Sequence, residues 1–253
     1  MKTLPQHTSM PDGIVLEKPG RNLDSLVQND AIRELKATLL HEWNISDAFE
    51  DVEQFGIRPT TLALFYGPPG NGKTMSAKML ASEMGAPLYR VSCEGLLSSY
   101  LGASERNMQT ILQWLETAGP AVVLFDECEA LFLKRGSTGG ECTRAVVRTM
   151  QIFWQAVDRW EAPQLFLLAT NRIEDIDDAL LSRCETKLEF VGPTKEQASL
   201  VIDYWTEVLH EHGSEHWAPV LRKSVSKSPP VSFRALWQSI SDATRHFIVN
   251  SHR

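Results

Sequence analysis

The chain has 253 residues, 43% of them hydrophobic and 23% charged. That is enough to bury a sizeable core, and no run reaches the roughly 18 apolar residues a membrane helix needs. With 25 basic against 32 acidic residues the formal charge is −7, so the overall basic footprint of a nucleic-acid binder is missing.

Met1–Asn22 carries Pro5, Pro11, Gly13, Pro19 and Gly20 with little periodicity. It reads as a mobile or draped arm and lacks the apolar run of a signal peptide. Leu23–Trp43 places Ile32, Leu35, Leu39, Leu40 and Trp43 at helical spacing, which predicts a helix. From residue 61, short apolar runs alternate with helical stretches. Strands are predicted at Leu62–Tyr66, Leu88–Ser92, Val122–Phe125, Leu165–Ala169 and Lys187–Phe190. Helices are predicted at Lys73–Met84, at Ser104–Glu116 with Ser104 as N-cap, and at Glu141–Trp160. This alternation implies a parallel sheet covered on both faces.

Gly192-Pro193 ends the alternation. Only helical segments come after it: Thr194–Leu209, about Trp217–Ser226 and Ser232–Asn250, with Pro229-Pro230 between the last two. The expected division is an arm at 1–22, an α/β domain at 23–192 and a helical domain at 193–253. Little length remains for a separate recognition domain, so specificity is expected from loops, self-assembly or another chain. Cys93, Cys128, Cys142 and Cys184 contain no C-x-x-C pair. They read as reduced and mostly buried, which fits a cytoplasmic protein.

Gly67-Pro68-Pro69-Gly70-Asn71-Gly72-Lys73-Thr74 fits the phosphate-loop pattern G-x-x-x-x-G-K-[ST]. It comes directly after an apolar strand and opens a helix, as the chemistry requires. Glycines allow the backbone to wrap a phosphate, and successive N–H groups at the helix start face the anion. Lys73 supplies a point charge to the β- and γ-phosphates, Thr74 offers a hydroxyl to Mg²⁺, and Met75 completes the nucleotide-binding stretch. Val122-Val123-Leu124-Phe125-Asp126-Glu127 is a buried-strand pattern ending in two carboxylates. Ligands bind at such strand ends. Asp126 is placed to hold Mg²⁺ through water. Glu127 is placed to polarise a water for attack on the γ-phosphate, which favours hydrolysis over a binding-only switch.

Taken together, these motifs resemble those of the AAA+ ATPase superfamily, closest to the protein-remodelling AAA family in the narrow sense. The resemblance runs from about Leu23 to the C-terminus. It implies an α/β P-loop NTPase fold: a five-stranded parallel sheet of order 5-1-4-3-2 sandwiched by helices, then a small all-α lid domain. ATP and Mg²⁺ are the implied cofactors. By family position Asn171, at the end of Leu165–Asn171, is the sensor-1 residue that holds the attacking water or a γ-phosphate oxygen. Asp177–Cys184 resembles the second region of homology. Its Ser182-Arg183-Cys184 setting is similar to that of clamp loaders and leaves Arg183 as the one candidate arginine finger, acting on a neighbour's γ-phosphate. Ser232-Phe233-Arg234-Ala235-Leu236 implies a sensor-2 role for Arg234, in the lid.

Leu97–Glu105 resembles the first pore loop of protein-remodelling members, with Tyr100, Leu101 and Gly102 as the gripping residues. Lys134–Glu141 occupies the second pore-loop position, where Lys134 and Arg135 read equally as solvated cations. Arg144 is a candidate for a subunit interface. The resemblance implies an ATP-hydrolysing motor that assembles as a homo-oligomeric hexameric ring and threads or remodels a protein or peptide. A separate protease or effector is a further possible partner. Nucleic acid is disfavoured and no membrane partner is implied. Two alternatives stay open: a DNA-directed ATPase (a helicase loader, transposition regulator or clamp-loader-like factor), and a regulatory switch acting on a partner effector.

Overall fold

A computed structural model describes residues 9–49, 57–97, 103–132, 141–160, 163–211 and 232–251. The chain divides into two compact units, Met1–Gly67 with Lys73–Glu189, and Pro68–Gly72 with Phe190–Arg253.

The first unit is built on a sheet of six strands: β1 (Ile14–Leu16), β2 (Leu62–Tyr66), β3 (Leu88–Ser92), β4 (Ala121–Asp126), β5 (Gln164–Thr170) and β6 (Thr186–Glu189), in the order β1-β3-β4-β5-β2-β6. Strands β2 to β6 are parallel and keep the expected order among themselves. All seven residues of β5 and five of the six in β4 are buried, as apolar runs covered on both faces must be. The register sets Tyr66 beside Thr170, and Phe125 beside Leu168. The C-terminal ends of β2, β4 and β5 therefore lie side by side, and each leads into one of the motifs.

The sheet has one strand more than expected, and it comes from the segment read as an arm. β1 pairs antiparallel with β3, Ile14 opposite Val91 and Leu16 opposite Tyr89. Ile14 is buried while Val15 and Leu16 are exposed. One inward residue leaves no alternation to read. Pairing is instead pinned by Glu17, whose carboxylate meets Lys78 Nζ at 2.8 Å and Arg90 Nε at 2.5 Å. Those two cations, Lys78 foremost, hold the Glu17 carboxyl below its ordinary range.

The predicted helix over Leu23–Trp43 begins later. Leu23–Ser25 is a single 3-10 turn, and α1 (Asp30–Leu35) starts after Asn29, whose Oδ1 accepts from the Ile32 N–H at 2.9 Å. A π-type stretch, Lys36–Leu40, carries it into α2 (His41–Asn44). The remaining helices of this unit are α3 (Lys73–Glu83), α4 (Cys93–Leu96), α5 (Ala103–Thr117), α6 (Glu141–Val157) and α7 (Asp178–Arg183). Helix α5 starts at Ala103, so Ser104 lies inside its first turn rather than capping it. It buries Met108, Ile111, Leu112 and Leu115 on one face. Phe125, Phe132, Phe153, Trp154, Trp160 and Phe166 form a connected aromatic cluster, with centroid separations from 4.9 to 6.3 Å. Each such side chain contributes about 1.5–3 kcal/mol by leaving water.

In the second unit, α8 (Lys195–Glu211) and α9 (Phe233–Ser251) pack through Ala198, Ile202, Leu236 and Ile240. The rings of Trp205 and Trp237 meet with centroids 4.9 Å apart and planes tilted by 57°. The helix expected at about Trp217–Ser226 lies outside the described residues. Among the described residues, no helix is long and apolar enough to cross a membrane.

Candidate functional site

Strand β2 runs directly into the loop Gly67–Gly72. Its three glycines have φ of +129° at Gly67, +82° at Gly70 and +95° at Gly72, where L side chains are strained. The loop then enters α3 at Lys73.

Lys73 is buried. Its Nζ donates to the Gly67 carbonyl at 2.6 Å and to Asn171 Oδ1 at 2.8 Å. The ammonium is thus tied to the end of β2 and to the residue after β5. One residue on, Thr74 Oγ1 donates to the Asp126 carboxylate, 3.2 Å to one oxygen and 3.4 Å to the other. Asp126 closes β4. Thr170 Oγ1 accepts from the Arg172 N–H at 3.0 Å, which turns the chain at Asn171. Of the sequence-predicted residues, the structure brings Lys73, Asn171, Thr74 and Asp126 together.

Glu127 comes next after Asp126 and is exposed. Its φ of 53° and ψ of 46° place it in the left-handed region, the one non-glycine among the described residues with positive φ. A non-glycine residue held there costs energy, and such strain clusters at functional sites. Behind it, burial pushes the Cys128 thiol well up and the Cys184 thiol up to about 12. Both stay protonated at neutral pH, so neither is placed to act as a nucleophile.

The second unit contains the middle of the loop. Asn71 Nδ2 donates to the Phe190 carbonyl at 3.3 Å. The first backbone donors of α9 are met by the loop itself: Phe233 N–H reaches Asn71 Oδ1 at 3.4 Å, and Arg234 N–H reaches the Gly70 carbonyl at 3.0 Å. Ser232 Oγ accepts from Ala235 N–H at 3.2 Å, completing the cap. Arg234 is therefore bound to the loop through its backbone, while its residue surface is exposed. Pro68, Pro69 and Met75 are exposed as well.

Arg183 sits elsewhere, at the end of α7. Its Nε donates to Asp158 Oδ1 at 3.4 Å and its Nη1 to the Ala179 carbonyl at 3.1 Å. Its Cζ lies 5.2 Å from the Trp154 ring centroid. Trp154, Asp158 and Thr170 are not site residues that the sequence motifs point to. Trp154 lies in the last turn of α6 and Asp158 directly follows that helix, and nothing in the sequence spacing sets either beside Arg183. Tyr100, Leu101, Gly102, Lys134 and Arg135 lie outside the described residues, and Arg144 falls on α6.

A hydroxyl and a carboxylate are hard oxygen donors, which suit Mg²⁺. Among the described residues, no group of three or more His, Cys, Asp or Glu is placed to hold a metal. The Thr74–Asp126 pair suits an ion that keeps most of its waters and shares itself with substrate phosphates.

Comparison with known proteins places these features in a family. The family model "ATPase family associated with various cellular activities (AAA)" matches residues 63–191. A Sinorhizobium fredii protein named "Uncharacterized AAA family ATPase y4kL" is 32% identical over 177 residues, 70% of this chain and 52% of that one. The Arabidopsis thaliana "26S proteasome regulatory subunit S10B homolog B" is 27% identical over 229 residues, 88% of this chain and 57% of that one. The chain thus spans about half the length of these relatives. Among solved structures, the FIGL-1 AAA domain is similar in fold, with a TM-score of 0.63 and 20% identity over 85% of this chain and 70% of that one.

Proposed function

The chain belongs to the ATPase family associated with various cellular activities, and from that premise we propose that it is a subunit of a cytoplasmic, homo-oligomeric ring that hydrolyses ATP to thread or remodel a protein. The observation that carries the reading is the meeting of Lys73, Asn171, Thr74 and Asp126 at the ends of β2, β4 and β5.

Each residue has a role in that reading. Lys73 turns its ammonium to the β- and γ-phosphates. Thr74 and Asp126 hold Mg²⁺, which neutralises charge on the phosphate oxygens when bound. Glu127 takes a proton from the attacking water, and Asn171 orients that water through its amide. Gly67 to Met75 wrap the phosphates with backbone N–H groups, and Arg234 serves the nucleotide from the lid. Arg183 reaches a neighbouring subunit's γ-phosphate and disperses its developing charge. A monomer is then nearly inactive, which makes assembly a condition of turnover. A hexameric ring suits this reading, with Tyr100, Leu101 and Gly102 gripping an extended polypeptide by apolar area rather than by its sequence.

The similarity to an Arabidopsis proteasome regulatory subunit supports a protein rather than a nucleic-acid substrate. So does the net charge of −7. Buried free cysteines at 93, 128 and 184 suit a reducing compartment. The test is ATP turnover measured with unfolded polypeptide and, separately, with single- and double-stranded DNA. Stimulation by polypeptide alone is expected. Stimulation by DNA alone would replace this reading with a DNA-directed one.

A further inference from the structure

Arg183 has a floor. Its Cζ stands 5.2 Å above the ring of Trp154, its Nε is paired with Asp158 at 3.4 Å, and its Nη1 is bonded to the Ala179 carbonyl at 3.1 Å. The two side chains differ in access: Arg183 is 41% exposed, and Trp154 only 7%. The indole is therefore part of the core, and the cation lies at the surface over it. A guanidinium has five N–H donors. Two are used among the described residues, which leaves three for an acceptor outside the subunit.

The indole is an odd choice for this position. Trp154 Nε1 is buried and has no hydrogen-bond partner among the described residues. A buried donor without an acceptor is a net cost, and a buried Trp usually finds one. Its neighbours Phe132 and Phe153, at 5.7 and 5.3 Å, fill the same cluster with no polar atom to satisfy. A phenyl or leucyl side chain would do the same at residue 154. What only the indole adds is its face, the strongest of the aromatic faces for a cation. A local rule is broken here, as it is at Glu105 and Glu129, and at residue 154 the compensating gain lies toward Arg183.

We infer that Trp154 is a positioning residue for Arg183, holding the guanidinium at the surface where a neighbouring subunit's phosphate can take its remaining donors. The inference rests on the proposed trans role of Arg183. Three restraints act on that side chain: the Asp158 pair, the Ala179 carbonyl and the Trp154 ring. The Asp158 pair is open to solvent on both sides and is screened by salt. The buried ring is not. Without it the arginine recovers its rotamer freedom and meets a phosphate less often in the productive geometry.

The experiment measures steady-state ATP turnover of the assembled chain carrying Trp154→Leu or Trp154→Phe. It is repeated on complexes co-assembled with Lys73→Ala subunits, co-assembly being checked by an affinity tag on one partner. A Lys73→Ala subunit lacks a working site of its own but still offers an intact Arg183 and Trp154. Trp154→Leu is expected to lower kcat about tenfold with little change in KM for ATP, and Trp154→Phe, with a weaker ring face, to fall between it and the wild type. Turnover per intact site should recover on mixing, because the defect lies in the neighbour's site; a defect in folding alone would not be rescued. A site-specific fluorinated tryptophan at 154 keeps the shape and weakens the ring face. It should lower kcat in step with fluorination at unchanged Tm.

Wild-type turnover by Trp154→Leu overturns the inference. So does absence of rescue when Arg183→Ala subunits are rescued in the same mixture. If Arg183→Ala itself turns over at the wild-type rate, or is not rescued, the trans reading of Arg183 falls and this inference falls with it.

Discussion

The ammonium of Lys73 lies 2.8 Å from Oδ1 of Asn171, joining the first residue of α3 to the first residue after β5 across 98 positions of sequence. The contact is a consequence of topology: β2 and β5 are hydrogen-bonded parallel neighbours, so the segments leaving their C-terminal ends emerge side by side. In the proposed reading it also couples a charge that serves phosphate to an amide that serves water. Removing the amide with Asn171→Ala should lower kcat about 100-fold, the scale of losing one preorganised polar group, with ATP affinity changed only a few-fold. Asn171→Asp should be worse for binding. It turns the hydrogen bond into an ion pair that competes for Lys73, and it adds negative charge where a phosphate is to sit. Nucleotide titration alongside steady-state turnover separates the two effects. An Asn171→Asp chain that bound ATP as well as the wild type would refute this account of the contact.

Glu127 combines a catalytic assignment with a strained backbone. Glu127→Gln keeps shape and strain while removing the base, so ATP binding should persist and turnover should fall by at least about 100-fold. The strain gives a second, independent expectation. At an ordinary exposed position alanine is at least as stable as glycine. At φ 53° the order should invert, with Glu127→Gly more stable than Glu127→Ala by about 1 kcal/mol. Thermal melting of the two variants decides it, since an alanine variant that melted above the glycine variant would mean that the left-handed conformation carries no cost.

Much of the sheet is legible in the sequence because β4 and β5 are buried on both faces and so read as unbroken apolar runs. The phosphate loop is legible because positive φ restricts three positions to glycine. β1 is not, because Ile14 alone turns inward and the strand is held by charges on α3 and β3 that sequence does not place beside it. The start of α1 is misjudged from spacing because the apolar pattern continues through residues that Asn29 caps out of the helix. The floor beneath Arg183 is hidden for a related reason. Helical periodicity assigns Trp154 to the core, which is correct, but it carries no information about which part of another helix stands above the ring.

Glu17 ties β1 to the rest of the sheet, and its pH dependence can be signed. The folded-state carboxyl is held below its ordinary value of 4.5, chiefly by Lys78 and then by Arg90. Its contribution is therefore complete above about pH 4.5 and is lost as pH falls through the folded-state value. Glu17→Gln should lower stability by about 1 kcal/mol at pH 7, a Tm shift of about 2–4 °C in a chain of this size. The gap between variant and wild type should narrow as pH drops below about 4.5. Melting curves from pH 7 to pH 3 test this. A gap that stayed constant to pH 3 would show that Glu17 acts by packing and not by charge.

Gly70 tests the link between the phosphate loop and the lid helix. Its φ is +82°, and a Cβ built there would stand 2.9 Å from the Cβ of Arg234 and 3.2 Å from Ser232 Oγ. Neither obstacle is the free end of a flexible chain: one is a side-chain root on α9, the other the hydroxyl that caps it. The Gly70 carbonyl also accepts from the Arg234 N–H at 3.0 Å, so moving the loop away leaves a donor at the start of α9 unpaired. Gly70→Ala is thus strained by its backbone and by its neighbours at once, and about 2–3 kcal/mol of destabilisation is expected. Because the loss centres on the start of α9, hydrogen exchange should quicken in its first turn before it changes in β4 or β5. Nucleotide affinity should fall together with it, since the same loop carries the phosphate-facing N–H groups. Arg234→Ala is the control. It leaves the backbone hydrogen bond in place and relieves the nearest approach only beyond Cβ, so it should spare both the melting temperature and the exchange pattern while still reporting any role of the guanidinium in turnover. If Gly70→Ala exchanged in α9 at the wild-type rate, the loop and the lid helix would not be coupled through this contact.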